Sequence, residues 1–110
     1  MQIQKHEILL GQYTESSLFN SKEIGYSFLR GEDDFYTVKL NMFPVNSYFL
    51  AKNTSNENYT IYSKILRGDD GVKFKSPVGF AKLLPDNNSL MFMRFHMPRM
   101  SMYMDLFAKK

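Results

Sequence analysis

Two sets of side chains in this 110-residue chain have the type and spacing to do chemistry. The first is a thioether set. Met97, Met100, Met102 and Met104 follow the MxxMxM spacing of soft sites that select Cu(I), with His96 beside them. The second is aromatic and cationic. Opposite the apolar face of successive alternating segments lie Phe35, Lys39 and Phe43, then Tyr62 and Lys64, then Lys73 and Lys75, and finally Phe92, Arg94 and His96. Rings interleaved with cations on a sheet surface are what single-strand nucleic-acid binders use: unpaired bases stack on the rings while Lys and Arg meet phosphates. Stacking contributes roughly 1–3 kcal/mol per base, so two or three exposed rings suffice for measurable affinity. The competing fate of Phe35, Phe43 and Phe92 is burial under a second layer, as befalls both faces of some strands in sandwiches and barrels.

The thioether set reads better as core. On a strand, Met100, Met102 and Met104 lie along one face at intervals of about 6–7 Å, too far apart for one ion without bending. Methionine also packs well into irregular gaps and against aromatics, and the chain holds ten Phe and seven Tyr. On an exposed face, the same flexible side chains would suit an adaptable protein-binding surface.

Nothing else builds a site. His6 and His96 lie in no catalytic motif, and the chain has no nucleophile elbow, no HExxH and no phosphate-cradling GxxxxGK[ST]. The carboxylates Glu32-Asp33-Asp34 and Asp69-Asp70 have the oxygen chemistry of a divalent-cation site, but solvated turns account for them. Arg67-Gly68-Asp69, an integrin-type tripeptide, reads as a turn as well. The absence of cysteine removes disulfides, thiolate metal sites and a cysteine nucleophile together. The expectation is a protein that is not an enzyme and needs no cofactor or metal.

The elements that must position the rings are strands. From Met91 to Phe107, which holds six of the eight methionines, odd positions Met91, Met93, Phe95 and Met97 are apolar. After Pro98-Arg99 the phase changes, and Met100, Met102, Met104 and Leu106 are apolar. Period two means a strand with one buried face, and the phase change implies a bulge or corner. A first strand fits Lys5 to Tyr13. A hairpin runs from Ile24 to Phe43, turning at Gly31-Glu32-Asp33-Asp34, and a short strand fits Ser47 to Lys52. The polar loop Asn53 to Asn58 is the expected mobile tip. A second hairpin runs from Tyr59 to Ser76, turning at Gly68-Asp69-Asp70-Gly71. Val78 to Leu84, the turn Pro85 to Asn88 and the methionine strands complete the chain. Ser16 to Lys22 fits a helical turn. Tyr26 to Asp34 echoes Tyr62 to Asp70, which turn chemistry explains without a duplication. The predicted fold is all-β: a single domain over residues 1–110, with about seven to eight antiparallel strands in a small barrel or sandwich.

Several short segments resemble an uncharacterised family of small mobile-element proteins, domain of unknown function seven-three-six. Val78-Gly79-Phe80-Ala81-Lys82, the turn Pro85-Asp86-Asn87-Asn88, the strand Leu90 to Phe95, the corner Met97-Pro98 and the closing Tyr103-Met104-Asp105-Leu106 are similar to that family's C-terminal steps in order. Leu10-Gly11-Gln12-Tyr13 is similar to its opening strand. The resemblance implies a mobile-element origin and a small β fold, and brings no functional residues.

Net charge of +3 permits a polyanionic partner without demanding one. With no apolar run of membrane-spanning length and no basic leader before an apolar stretch, no membrane association is expected and the cytoplasm is the expected location. The functional expectation is a single-stranded nucleic-acid-binding accessory protein of a mobile element. The alternative is a protein-interaction domain, such as a phage or plasmid factor that occludes a host protein. A homo-oligomer through an open edge of the last strand is a further expectation.

Overall fold

The computed structural model describes residues 4–29, 34–96 and 99–106. They form eight strands: β1 (Gln4–Thr14), β2 (Ser17–Leu29), β3 (Tyr36–Leu40), β4 (Tyr48–Lys52), β5 (Tyr59–Gly68), β6 (Gly71–Leu84), β7 (Asn87–His96) and β8 (Arg99–Asp105). Each pairs antiparallel with the next in sequence, and β8 returns to β1, so the sheet closes into a barrel. Between barrel and sandwich, the chain forms the barrel.

Closure leaves one face of the sheet inside, and the apolar alternation of each strand points there. Ile8, Val38, Leu50, Ile61, Ala81, Met93, Met102 and Met104 are fully buried, with Met91, Leu40 and Phe95 nearly so. An eight-stranded barrel is just wide enough for side chains to fill. The methionines therefore work as core, in the cross-strand pairs Met91–Met104 and Met93–Met102. Met102 and Met104 face inward and Met100 packs half-buried against the core, so among the described residues these methionines make core and not an adaptable outer surface.

The change of apolar phase is a hairpin, not a bulge or corner within one strand. β7 and β8 pair as Met91↔Met104, Met93↔Met102, Phe95↔Met100 and His96↔Arg99. A two-residue connection makes paired numbers sum to an odd value, so inward odd positions must face inward even ones. The connecting Met97 and Pro98 lie outside the described residues.

The helical turn expected over Ser16 to Lys22 is strand instead. Glu15 and Ser16 both take positive φ, 53° and 66°, the geometry of a tight two-residue hairpin turn. Pairing therefore resumes at once, at Thr14↔Ser17. The loop expected to be the mobile tip is cross-linked by its own side chains. Asn53 Nδ2 and the Asn58 backbone N–H both donate to Asn56 Oδ1 (3.1 and 2.8 Å), and Thr60 Oγ1 donates to Asn53 Oδ1 (2.6 Å). The last strand has no open edge at Tyr103 and Met104, where β8 is flanked by β7 and β1. Among the described residues, no helix is long and apolar enough to cross a membrane.

Two hairpins outrun the barrel wall. The β1–β2 hairpin passes two register shifts, at Ile8/Leu9 and Leu10/Gln12, and continues to Glu15-Ser16 as a first arm. The β5–β6 hairpin shifts register at Ile61/Tyr62 and continues as a second arm to Gly68–Gly71, with Ser76 at φ 57° near its root. Shifts of this kind bend a ribbon sharply. The internal echo falls on unlike elements: Tyr26 to Leu29 lies in the barrel wall, and Tyr62 to Gly68 lies in the second arm. The turn of the first copy, Gly31 to Asp33, lies outside the described residues.

Gly25 and Gly79 mark close approaches of neighbouring strands. A Cβ on Gly25 would run into the Lys39 carbonyl oxygen, and one on Gly79 into that of Arg94. These are backbone atoms inside the ladder and cannot rotate away. Gly79→Ala is expected to destabilise the fold by about 3 kcal/mol, the upper end of the usual over-packing range. Urea denaturation would read this as a lower midpoint at unchanged slope.

Candidate nucleic-acid interface

On the outer wall, the side chains of β6, β7 and β8 that face away from the core form a grid set by the register. One rung holds Phe80, Arg94 and Ser101, and the next holds Lys82, Phe92 and Tyr103. His96 and Arg99 form a third, shorter rung. Between β6 and β7 rings and cations alternate along and across the strands, because the period-two pattern of one is offset by one pair on the other, whereas β8 sets Tyr103 beside Phe92 and Ser101 beside Arg94. The rings make a continuous row. His96 and Phe80 have centroids 6.1 Å apart, Phe80 and Phe92 6.2 Å, and Phe92 and Tyr103 5.7 Å. Phe80, Phe92 and Tyr103 are half-buried, each keeping part of its surface to solvent, whereas Lys82, His96 and Arg99 are exposed.

Of the ten residues singled out in the sequence, Phe92, Arg94 and His96 stand together in this grid. The others separate. Phe35 is only 2% exposed, which removes it as a stacking platform. The second arm folds onto it, bringing Phe74 to 5.3 Å edge-on and the Arg67 guanidinium to 5.5 Å above the ring. Tyr62 lies at the root of the same arm, stacked on Phe74 at 5.1 Å. Phe43 falls beyond the end of β3 and packs half-buried against the barrel core, so it too leaves the proposed face. Lys39 points outward from β3 and donates from Nζ to Ser47 Oγ (3.0 Å). Lys64, Lys73 and Lys75 share the solvent-facing side of the second arm, with Lys64 and Lys75 directly paired.

The sequence reading missed Phe80, Lys82, Arg99, Tyr103 and Tyr13. Phe80 and Lys82 alternate with the inward Gly79 and Ala81, and Tyr103 alternates with Met102 and Met104, so strand periodicity could have found those three. Tyr13 could not have been found that way, because the bend of the first arm places it.

That arm folds back over β8. Tyr13 lies on Tyr103 with centroids 5.7 Å apart and ring planes only 24° from parallel, extending the row to a fifth ring. The arm's tip is fastened to the β6–β7 turn. Tyr13 Oη donates to Asp86 Oδ1 (2.6 Å), Ser16 Oγ donates to Asp86 Oδ2 (2.8 Å), and Asn87 Nδ2 donates to the Ser16 carbonyl (2.8 Å). The two hydroxyl donors hold the Asp86 carboxyl below its ordinary 3.8. Desolvation and the Asp86 carboxylate push the Tyr13 hydroxyl up to about 12.

The two histidines cannot share a site. His96 is exposed on the outer wall. His6 is buried inside at the opposite end, its Nδ1 3.0 Å from the Asp105 carbonyl and its ring edge-on to Tyr36 at 5.5 Å. Since a carbonyl only accepts, Nδ1 donates to it, and Nε2 has no hydrogen-bond partner among the described residues. Of the turn carboxylates, Asp69 and Asp70 are exposed at the second arm's tip, while Glu32 and Asp33 lie outside the described residues.

Comparison with protein-family models, with curated proteins and with solved structures finds no match to this chain.

The fastening of the first arm sets a pH window. Asp86, lowered in the folded state, contributes its part above 3.8 and loses it as pH falls through the lowered value. Tyr13, raised in the folded state, contributes below 10.0 and loses its part as pH climbs through about 12. Backbone amides in residues 11–20 should therefore keep their hydrogen-exchange protection across neutral pH. Protection should fall selectively in acid, before the barrel strands lose theirs. Asp86→Asn should remove that acid step.

Proposed function

We propose that this chain is a non-enzymatic protein that binds single-stranded nucleic acid on the outer wall of β6, β7 and β8. The ring-and-cation grid carries the reading. Phe80 and Phe92 lie diagonally with Lys82 and Arg94 at the other corners, so a strand laid across the wall meets a stacking surface and a phosphate partner at each step. Three features suit an unpaired strand in particular. The wall is a convex sheet face, unlike the helix or two-stranded ribbon that enters a major groove. Its contacts are faces of rings, which duplex bases hide in their own stack. Its cations are side chains able to follow a flexible backbone. The lysine face of the second arm adds positive charge on a separate element.

The resemblance of the C-terminal segments to mobile-element proteins extends this to an accessory factor of such an element, working in the cytoplasm. A host protein as partner is the second reading. Val45, 90% exposed, and Met42, 41% exposed, favour it, because they set apolar surface on the β3–β4 connection away from the grid.

Fluorescence anisotropy with a labelled single-stranded oligonucleotide tests the reading. Binding should be measurable at about 10 μM protein in ~50 mM salt and should weaken steeply toward ~200 mM as counterions are retained. Phe92→Ala should cost roughly 1–3 kcal/mol of binding. Arg94→Gln should lower the salt slope by about 0.7, the value of one phosphate contact on a single strand. No binding in low salt would sink the reading. Normal binding by folded Phe92→Ala and Arg94→Gln would remove the site from this wall.

A further inference from the structure

We infer that Tyr13 and Tyr103 form a subsite for one unpaired nucleobase, which inserts between the two rings as the first arm lifts from the barrel. The inference rests on the nucleic-acid reading above and assigns to the arm a role that reading does not contain.

The geometry argues it in three steps. Tyr103 ends the row of rings fixed to the barrel wall, within contact of Phe92. A strand stacked on Phe92 therefore delivers its next base to Tyr103. The outer face of Tyr103 is already covered by a ring of the same shape, close to parallel, with centroids 5.7 Å apart. The 5.7 Å between centroids is that of an offset stack with the rings already face to face, so a base entering between them needs the arm to rise by one base thickness, ~3.4 Å.

The arm is built to rise. Its root carries the register shifts at Ile8/Leu9 and Leu10/Gln12, and its tip is held by hydrogen bonds centred on Asp86 and Asn87 in an exposed turn. Polar contacts of this kind exchange readily with water. Asp86 lies in the β6–β7 connection and Asn87 opens β7, and a lift hinged at the Leu10/Gln12 shift keeps the Ile8↔Met104 and Leu9↔Tyr103 pairs that close the barrel.

Insertion is favoured over simple displacement by counting faces. If a base pushed Tyr13 aside, one ring-on-ring contact would replace another and the tip's hydrogen bonds would be lost for nothing. If the base inserts, one contact becomes two, and the second offsets the loosened tip. Tyr13 is thus a gripping residue and not a plug.

Binding of a short labelled oligothymidylate to a small set of full-length variants decides the matter. Tyr13→Ala, which keeps the Ser16 and Asn87 bonds at the tip, should bind roughly tenfold more weakly, within the range for loss of one stacked base. Tyr13→Phe keeps the ring and drops the bond to Asp86, and should bind as tightly as the wild type or more so. Asp86→Ala removes two of the three tip bonds while leaving the ring and should likewise be no weaker. Tighter binding by Tyr13→Ala would make the ring a plug and overturn the inference. So would unchanged binding by Tyr13→Ala alongside weakened binding by Phe92→Ala, an outcome that leaves the wider interface standing. Loss by Asp86→Ala equal to that of Tyr13→Ala would assign the effect to arm docking and also overturn it. A wild-type protein that binds no oligonucleotide would remove both the interface and its subsite.

Discussion

The closure of β1 on β8 is the contact on which the rest depends. Among the described residues two register pairs make it, Ile8↔Met104 and Leu9↔Tyr103, and they join strands from opposite ends of the chain. Joining them costs loop entropy that grows slowly with separation, and burial of the inward pair answers it: Ile8 and Met104 are both fully excluded from water. The seam is reinforced beside it, where His6 Nδ1 meets the Asp105 carbonyl. Without closure the sheet would have two open edges and its inner face would lack an opposite wall. The outward partner of the same seam, Tyr103, is also the ring that links β8 to the first arm. One contact therefore completes the core and sets the end of the proposed binding row.

The two arms show how an identical device serves different ends. Each is a hairpin longer than the wall it grows from, bent at a register shift. The second arm lays Phe74 and Arg67 on Phe35 and makes a small aromatic core outside the barrel. Its apolar contacts are fully desolvated at Phe35, and its outer side is left to Lys64, Lys73 and Lys75, charges that also discourage pairing with a stray strand. The first arm lays one ring on another and secures itself with polar bonds at the tip. Apolar burial suits a permanent contact, and exposed hydrogen bonds suit one that opens.

Legibility in the sequence followed the range of the interaction concerned. Strand period and turn chemistry act over a few residues, so the strands, the Gly68–Gly71 turn and the inward methionines were readable. The same period readily placed Phe92, Arg94 and His96 on one outward face. Phe35 obeyed the pattern and was still lost to the site, because whether an outward ring meets water depends on what folds over it. Phe43 departed for a related reason: β3 stops at Leu40, and past that point alternation no longer assigns a face. The Glu15-Ser16 turn misled because its positive φ values fall on residues other than glycine, which gives no compositional signal.

What the sequence by itself determined is the all-β character, the faces of the strands and the presence of rings and cations opposite the core, since each follows from periodicity along one strand. What only the tertiary structure decided is which of those outward rings become neighbours. Strand order brings Phe80, Phe92 and Tyr103 together from three strands, the second arm removes Phe35, and the first arm adds Tyr13. These outcomes depend on closure and on bends at register shifts, where residues far apart in sequence compete for the same few ångströms of wall. No local pattern records the winner of that competition.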